Sequence, residues 1–394
     1  MFDRRGILPA LALLALVTAS RLTYLALYAL ALVLALCDWG GKRAFRGLRV
    51  ERRLSCAKAF IGQEVAVDIS VRNESRFPLG WVSLRAAKLA NFEQPDPAAR
   101  AGIVAGRGEL RLSYRLIGTS RGYYRLGRIE VSGGDPLGCR RQTASVPDGG
   151  AGLTIYPPVS PLGRVPLPNV RPFGSQRDRL RAHEDPTRLR GVRDYLPGDS
   201  LRHIHWKATA ARGRFQVKEF TPTVTAESLI LLNLAEGEFP AGDWTARGEL
   251  GVETAASLAA YLLERGTVVG LATNGADPES PGRSPLILPG AAGAGQAEAI
   301  LTLLARVAVA AGPEFARLVS VQGRAAAWGA CLYLITPGWT EDLTRTVQAL
   351  RRLGKVPVPI LLDRADLDRA TAAGTGVLLA RRDRDGRRVS LGAP

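Results

Sequence analysis

Cysteine and histidine are scarce in this sequence. Its 394 residues include four cysteines (Cys37, Cys56, Cys139 and Cys331) and three histidines. The cysteines lie far apart and form no C-x-x-C pair, and no histidine stands at zinc-ligand spacing. These absences exclude the common structural zinc modules. We expect the thiols to be reduced packing residues.

Positive charge, by contrast, is abundant. The chain carries 53 Lys+Arg against 36 Asp+Glu, a formal net charge of +17. Such an excess favours anionic partners, which could be the inner lipid leaflet, nucleic acid or an acidic protein. At 394 residues, 46% of them hydrophobic, the chain is long enough for two or three domains with sizeable cores.

A long apolar segment near the N-terminus predicts a membrane anchor. Residues 7–37 are apolar except for "TASR" at 18–21. One helix over this segment would be about 46 Å long and would put Arg21 near mid-membrane, at a cost of about 3 kcal/mol. We therefore expect a transmembrane hairpin of two short helices within residues 1–41. A cleaved signal peptide is the alternative, since "MFDRRG" suits a signal n-region.

Basic residues are more numerous after this segment than before it. Arg4 and Arg5 precede it. The basic residues that follow are Lys42, Arg43, Arg46, Arg49, Arg52 and Arg53. Because basic flanks stay in the cytoplasm, a single span and a hairpin both predict a cell (inner) membrane protein whose bulk faces the cytoplasm.

Residues 50–157 are expected to form a β domain. "EVAVDISVRN" places Val65, Val67, Ile69 and Val71 on one face, and "ELRLSYRLI" repeats the alternation. Turn-rich breaks separate these runs, which predicts an immunoglobulin-like β-sandwich.

The rest of the chain reads as a linker with a basic motif (158–226) and an α/β domain (227–394). Prolines in 156–174 indicate an extended connector. Predicted strands cover 228–234, 267–273, 330–336 and 356–362, and predicted helices cover 249–266, 297–310 and 341–354. This alternation predicts a mostly parallel sheet with helices on both faces. We expect the charged tail from residue 381 to be a solvated edge or disordered.

The stretch "RDYLPGDSLRHIHWKATAARG" at 193–213 gathers the residues with the most chemistry. A Pro-Gly turn, Asp199 as N-cap and helical apolar spacing predict a short helix over about 200–211. His203 and His205 would then point about 200° apart, so they could not easily share a metal.

Several functions remain open for this stretch. A hydrolase could use Asp199 with His203 or His205, although no nucleophile elbow or oxyanion site is visible. A purely structural role would bury Ile204 and Trp206 while Asp199 caps the helix and pairs with an arginine.

Binding of an anion or partner is the further possibility, because residues 171–218 hold twelve basic and five acidic residues, about +7. Nucleic-acid binding is less favoured, since Tyr195, Trp206 and Phe215 are few for stacking. The candidate partner- or anion-binding residues are Arg193, Tyr195, Asp199, Arg202, His205, Trp206 and Lys207.

The same stretch resembles the family known as domain of unknown function 58. The family motif has a strand ending in Arg-x-Tyr, a Pro-Gly-Asp turn, Arg-x-Ile-x-Trp-Lys-Ala-x-Ala-Arg and a strand with Val-Arg-Glu. The matching residues are Arg193 (shifted by one), Tyr195, Gly198, Asp199, Arg202, Ile204, Trp206, Lys207, Ala208, Ala210, Val217, Lys218 and Glu219. Ala211 departs from the pattern, with Arg212 displaced by one.

The resemblance implies a membrane hairpin, a β domain and a von Willebrand factor A-like α/β domain, working beside a MoxR-type AAA+ ATPase. A Mg²⁺-binding domain of that kind would carry Asp-x-Ser-x-Ser after its first strand and an aspartate after a later one. The corresponding residues here are Asn233, Ala235, Gly237 and Pro337. We therefore expect no metal and no cofactor. The leading hypothesis is a non-enzymatic, membrane-anchored accessory protein that docks the ATPase or its client.

Overall fold

A computed structural model describes residues 21–134, 141–146, 152–163, 184–196, 199–222, 227–240, 242–280, 282–383 and 388–392. The chain divides into two compact units. Unit 1 comprises Met1–Val159, Asp277–Glu279 and Leu301–Val307, and unit 2 comprises Ser160–Ala276, Ser280–Ile300 and Ala308–Pro394.

Unit 1 begins, within the described residues, with helix α1 (Arg21–Arg46). Its 26 residues extend about 39 Å, and Tyr24–Arg46 is long and apolar enough to cross a membrane. Large apolar side chains such as Leu25 and Tyr28 are exposed along it. The first arm of the predicted hairpin lies outside the described residues. The helix continues past the predicted boundary at residue 41 because Ala44 is fully buried in the core of the β domain.

The β domain contains two four-stranded antiparallel sheets. The first has the order β1-β3-β7-β5, with β1 (Leu48–Leu54), β3 (Glu64–Asn73), β5 (Phe92–Glu93) and β7 (Glu109–Gly118). The second has the order β10-β9-β4-β6, with β4 (Leu79–Ala86), β6 (Ala99–Val104), β9 (Ile129–Gly134) and β10 (Arg141–Val146). A small third sheet has the order β2-β11-β8, with β2 (Lys58–Phe60), β8 (Gly122–Arg125) and β11 (Gly152–Tyr156).

Alternation in the strands explains the packing of this domain. The valines and isoleucine of β3 predicted to share a face are fully buried, and they belong to one core with Leu84 of β4 and Val131 of β9. One core between two antiparallel sheets defines a β-sandwich. The β-rich N-terminal domain predicted from the sequence is therefore confirmed.

The described residues of unit 2 begin with 160–163, which form no helix or strand, and continue with a hairpin of β12 (Glu184–Asp194) and β13 (Gln216–Pro222). A 3-10 turn (Leu201–His203) and helix α2 (Trp206–Arg212) lie between these strands. The predicted single helix over 200–211 is thus divided, because Ile204 leaves helical geometry to bridge Val217 on β13.

A seven-stranded mixed sheet forms the body of unit 2. Its order is β16-β15-β14-β17-β18-β19-β20, with β14 (Glu227–Leu232), β15 (Val268–Thr273), β16 (Leu286–Ala291), β17 (Cys331–Thr336), β18 (Val356–Leu361), β19 (Leu378–Arg382) and β20 (Val389–Gly392). The five inner strands are parallel and both edge strands are antiparallel. The sequence predicted a mostly parallel sheet, and the mixed sheet with five parallel inner strands confirms this.

Helices lie on both faces of that sheet. The helices that follow the hairpin in the chain are α3 (Trp244–Glu264), α4 (Ala294–Arg306), α5 (Phe315–Ala325), α6 (Glu341–Arg352) and α7 (Leu367–Ala372). Leu231 shares a core with α5, α6 and α7, whereas the adjacent Leu232 faces Gly251 of α3. Successive strand residues point to opposite faces of a sheet, so α3 lies on the face opposite to α5, α6 and α7.

The tail was expected to be a solvated edge or disordered, and part of it is an edge strand of the sheet. This strand is β20, which pairs with β19 and buries Val389. The Val389 amide donates to the Ser160 hydroxyl at 2.9 Å. The run of arginines hides this edge strand in the sequence, because its pairing depends on residues far away in the chain.

Candidate functional site

The motif at 193–213 connects the two strands of the hairpin. Register pairs Arg193 with Val217 and Asp194 with Gln216. The His205 amide donates to the Gln216 carbonyl at 2.8 Å, and Ile204 and Val217 are both buried. The connection therefore folds back onto β13 and is held in one place. We call its described residues, 195–196 and 199–215, the hairpin tip.

An ion pair closes the hairpin tip. Arg193 donates from two nitrogens to the two carboxylate oxygens of Asp199, at 2.6 and 2.8 Å, and the Leu196 amide donates to the same carboxylate at 2.9 Å. These bonds, Arg193 first, lower the pKa of Asp199 to about 2. Asp199 is thus a structural acceptor paired with an arginine, which was one of the predicted roles.

Helix α2 is capped by a histidine. The predicted cap, Asp199, is instead engaged with Arg193. His205 is the N-cap, and its Nδ1 accepts from the Ala208 amide at 3.1 Å. Gly213 ends the helix in the left-handed region with φ 65°, a conformation that glycine adopts without strain.

Gln216 joins the helix to the hairpin. Its backbone N–H donates to the Thr209 hydroxyl at 3.0 Å. Its side-chain nitrogen donates to Asp194, and its side-chain oxygen accepts from Arg212 at 3.1 Å. Gln216 and Thr209 were not predicted as site residues. Gln216 is fully buried between the exposed Phe215 and the buried Val217, and its role is recognisable only once the strand register is known.

Apolar side chains at the hairpin tip face solvent. Leu196, Leu201, Trp206 and Phe215 are 56–68% exposed. The prediction that Trp206 belongs to a core is therefore wrong: Ile204 occupies the inward position and α2 begins with Trp206 pointing outward. Tyr195 is half-buried, with its ring 6.2 Å from that of Phe215.

Basic side chains accompany these apolar groups. Arg202, Lys207 and Arg214 are exposed, and we call them the basic rim. The structure thus brings all seven candidate residues into one hairpin but gives them different tasks. Arg193, Asp199 and His205 hold the backbone, whereas Trp206 and the basic rim face outward. Residues 171–183 of the predicted basic segment lie outside the described residues.

Two residues of the hydrolase alternative are engaged in structural contacts. Both oxygens of Asp199 are bound to Arg193, and Nδ1 of His205 is used for capping. Ser200 is exposed. Within the described part of the chain, no three His, Cys, Asp or Glu residues gather as a metal site.

A second polar cluster lies where three adjacent parallel strands end. Asn233 follows β14, Asn274 follows β15, and Thr336 ends β17, and all three are fully buried. Asn233 Nδ2 donates to Thr336 Oγ1 at 3.0 Å and to Glu238 at 2.9 Å. Its oxygen accepts from Asn274 at 3.0 Å and from the Ala235 amide at 3.1 Å.

The remaining polar atoms of this cluster are also engaged. Asn274 Oδ1 accepts from the Leu234 amide at 2.7 Å, and Glu238 Oε1 accepts from the Phe315 amide at 2.6 Å. We call Asn233, Asn274, Thr336 and Glu238 the sheet-edge network. Oxygens bonded to N–H donors are poorly arranged for a cation. Of the other predicted degenerate positions, Ala235 and Pro337 are buried and Gly237 lies in a 3-10 turn. That the chain works without a metal stays a prediction.

Comparison with known proteins supports the predicted family resemblance. Residues 191–366 match the family model described as "Protein of unknown function DUF58". The uncharacterized protein YeaD of Bacillus subtilis (strain 168) is 24% identical over 235 residues, which cover 58% of this chain and 56% of YeaD. The match therefore spans little more than half of that relative.

Similar solved structures cover about a quarter of the chain. They include the cupredoxin domain of amoB from Nitrosocaldus yellowstonii (11% identity, 28% of this chain, 87% of that one, TM-score 0.21). A CARDB domain from Pyrococcus furiosus has 11% identity over 27% of this chain and 91% of its own, with a TM-score of 0.19. A non-cellulosomal cohesin from Archaeoglobus fulgidus has 16% identity over 27% and 91%, with a TM-score of 0.20. Scores this low carry no functional argument.

Proposed function

We propose that this chain is a non-enzymatic, membrane-anchored accessory protein that docks a protein partner through its hairpin tip. The observation that carries the proposal is the exposure of Leu196, Leu201, Trp206 and Phe215 on a connection whose backbone is tightly held. Burying such apolar groups against a partner is favourable, and a fixed backbone reduces the entropy lost on binding.

The residue types at the hairpin tip suit a protein interface. Tryptophan, tyrosine and arginine are the residues that most often dominate interface energies. Trp206 would be the central contact, and the basic rim (Arg202, Lys207 and Arg214) would select an acidic partner and accelerate its association.

The partner we propose is a MoxR-type AAA+ ATPase or the client that it acts on. This assignment rests on the family resemblance of the motif and on the charge of the hairpin tip. Helix α1 would anchor the chain in the cell membrane, with Lys42, Arg43 and Arg46 keeping the bulk on the cytoplasmic side where an ATPase is available.

We further propose that the two folded units act as scaffolds. The β-sandwich would be immunoglobulin-like, and unit 2 would be von Willebrand factor A-like with a metal-free sheet edge. In this proposal the sheet-edge network (Asn233, Asn274, Thr336 and Glu238) stabilises the domain in place of a cation, and the hairpin tip is the surface that recognises the partner.

Co-purification tests the proposal. The full-length chain is crosslinked in membranes, purified and probed for an AAA+ ATPase. Trp206→Ala should abolish most of the recovery, whereas Trp244→Ala, which removes another exposed tryptophan of unit 2, should leave it unchanged. Equal recovery with both variants, or no ATPase with the unaltered chain, would refute docking at the hairpin tip.

The nucleic-acid alternative makes a different prediction. Binding through the basic rim would weaken steeply as salt is raised. Measured affinity for single-stranded nucleic acid that falls in this way, and that Trp206→Ala reduces, would favour that function over protein docking.

A further inference from the structure

The end of the β-sandwich next to helix α1 gathers basic residues from three separate segments. Lys42, Arg43 and Arg46 come from the last turns of the helix, Arg76 from the β3–β4 turn, and Arg107 from the β6–β7 turn. We call these five residues the basic collar. We infer that the basic collar binds the phosphate-bearing headgroups of anionic phospholipids and so fixes the β-sandwich against the membrane surface.

This inference rests on the proposed membrane anchor, because the helix determines which end of the sandwich meets the bilayer. The helix enters the sandwich without a linker: it ends at Arg46, and β1 begins at Leu48. The Gly47 carbonyl accepts from the Glu74 amide at 2.9 Å. Ala44 is fully buried, and a Cβ on Gly40 would lie 3.1 Å from the Phe77 ring.

The depth of the helix places this junction at the headgroups. From Arg21 to Trp39 the helix rises about 27 Å, close to the thickness of the hydrocarbon core. Trp39 packs edge-on against Phe77 at 5.2 Å and lies under the Arg43 guanidinium at 5.7 Å. Tryptophan is enriched at the membrane–water interface, so it marks the level at which the basic collar begins.

The two turns are locked together at the same end. The Arg107 amide donates to the Ser75 carbonyl at 2.9 Å, and a Cβ on Gly106 would collide with the Arg76 carbonyl oxygen at 2.2 Å. Both arginine side chains are exposed. Leu48 pairs with Asn73 on β3, which confirms that these turns lie beside the helix exit.

Two carboxylates near this end of the sandwich are each paired with an arginine outside the basic collar. Glu74 is bound by Arg49 at 2.6 Å, and Glu109 is bound by Arg111 at 3.0 Å. A cleft of about 400 Å³ lies here, lined by Arg72, Asn73, Glu74 and Arg107. The cleft offers room for a headgroup beside Arg72 and Arg107, and Arg49 offsets the charge of the Glu74 carboxylate that also lines it.

The backbone of Arg107 permits a second test variant. Its φ is 60°, in the left-handed region where glycine is usual, and it lies in the turn between β6 and β7. Glycine at this position would relieve the strain, so a variant can remove the guanidinium without damaging the fold.

Lipid titration of the full-length protein in mild detergent tests the inference. The unaltered chain should bind short-chain phosphatidylglycerol more tightly than short-chain phosphatidylcholine. Each basic residue near an anionic surface contributes about fivefold in affinity, so Arg76→Gln with Arg107→Gln should weaken phosphatidylglycerol binding about 25-fold. The control is Arg85→Gln with Arg128→Gln, which removes equal charge.

The control arginines lie at the opposite end of the sandwich, where Arg85 pairs with Glu130 and Ala86 with Ile129. We expect less than a twofold change from the control (about 25-fold for the collar pair). Arg107→Gly should weaken binding about fivefold while the melting temperature stays the same or rises.

Three results would overturn the inference. They are equal affinity for the two lipids, equal losses with the collar and control variants, and displacement of the lipid by the same concentration of inorganic phosphate. Alkaline carbonate extraction separates this failure from that of the proposed function. A chain released from membranes by carbonate has no anchor, whereas a retained chain without lipid preference has an anchor but no binding collar.

Discussion

The sheet-edge network buries polar side chains, whereas the hairpin tip exposes apolar ones. At the sheet edge, Asn233, Asn274 and Thr336 are buried and bonded to one another. At the hairpin tip, Trp206 and Phe215 are exposed while the backbone beneath them is held. The polar groups at the sheet edge are bonded to one another, whereas the apolar groups at the hairpin tip face solvent. In an α/β domain a ligand would ordinarily be sought at the sheet edge, where the parallel strands end.

The two regions should therefore contribute to different properties, the sheet-edge network to folding stability and the hairpin tip to partner binding. A buried, satisfied polar cluster contributes to folding, and its loss leaves unpaired groups. Exposed apolar groups contribute little to folding and remain available to a partner. Substitutions in the two regions should therefore affect different measurements.

The largest effect is expected at the sheet edge. Asn233→Asp would replace the donor to Glu238 with a second carboxylate in a fully buried position. An uncompensated buried charge costs about 3–5 kcal/mol, so chemical denaturation should show that loss for unit 2. Asn91→Asp, at an exposed position, should change stability by less than about 0.5 kcal/mol. If Asn233→Asp is as stable as the unaltered chain, the hydrogen bonds of the sheet-edge network do not stabilise unit 2.

A similar loss of stability is expected when the buried ion pair between Glu253 and Arg382 of unit 2 is broken. Glu253 is buried and accepts from Arg382 at 3.0 Å and from the Ser160 hydroxyl at 3.3 Å. Arg382→Met should destabilise the unit by about 3 kcal/mol at neutral pH, because the carboxylate loses its charged partner. Glu253→Gln combined with Arg382→Met should recover most of that loss.

The pH dependence of that variant sharpens the test. Burial raises the pKa of Glu253, and Arg382 opposes the rise. Removing Arg382 raises the pKa further. A carboxyl group whose pKa is raised in the folded state stabilises the fold at low pH. That stabilisation is lost as the pH rises through the raised pKa. The penalty measured by denaturation should shrink as pH is lowered, and a penalty independent of pH would exclude this explanation.

The hairpin tip should show the reverse behaviour. Trp206→Ala should weaken partner binding by about 2 kcal/mol, or roughly 30-fold, as expected for a central interface tryptophan. Its free energy of unfolding should change by less than about 0.5 kcal/mol, because the side chain is already exposed. Titration calorimetry and denaturation of the same variant check both values. A large loss of stability would place Trp206 in the fold rather than in an interface.

The smallest effect concerns the ion pair that closes the hairpin tip. The pKa of Asp199 is lowered to about 2, chiefly by Arg193. A lowered carboxyl pKa gives stability that is complete above about pH 4 and is lost as pH falls through about 2. After solvent screening we expect about 1 kcal/mol. The protection factor of the Leu196 amide against hydrogen exchange should fall over that pH range, and Asp199→Asn should remove this fall.

Regular elements were predictable from local patterns. Strict alternation located β3, and acidic-to-basic polarity located α6 (Glu341–Arg352). Helix α5 (Phe315–Ala325) was missed because it is short, although Phe315, Leu318 and Val319 give it a buried face. Edge strands β16 and β20 were missed because pairing with distant strands, rather than their own sequence, defines them.

The arrangement of the candidate residues could not be predicted from the sequence, and their role in binding stays a prediction. The motif identified Arg193, Asp199 and Trp206, and the pairing of Asp199 with an arginine follows from charge. The division of the helix and the exposure of Trp206 depend on Ile204 pairing with Val217, a contact that no local pattern in the sequence encodes.

A photocrosslinking amino acid at position 206 of the full-length chain, activated in intact membranes, tests the central claim most directly. We predict a crosslink to an AAA+ ATPase or its client that is absent when the same group replaces Trp244. Crosslinks only to lipid, only to nucleic acid, or equally from both positions would contradict it.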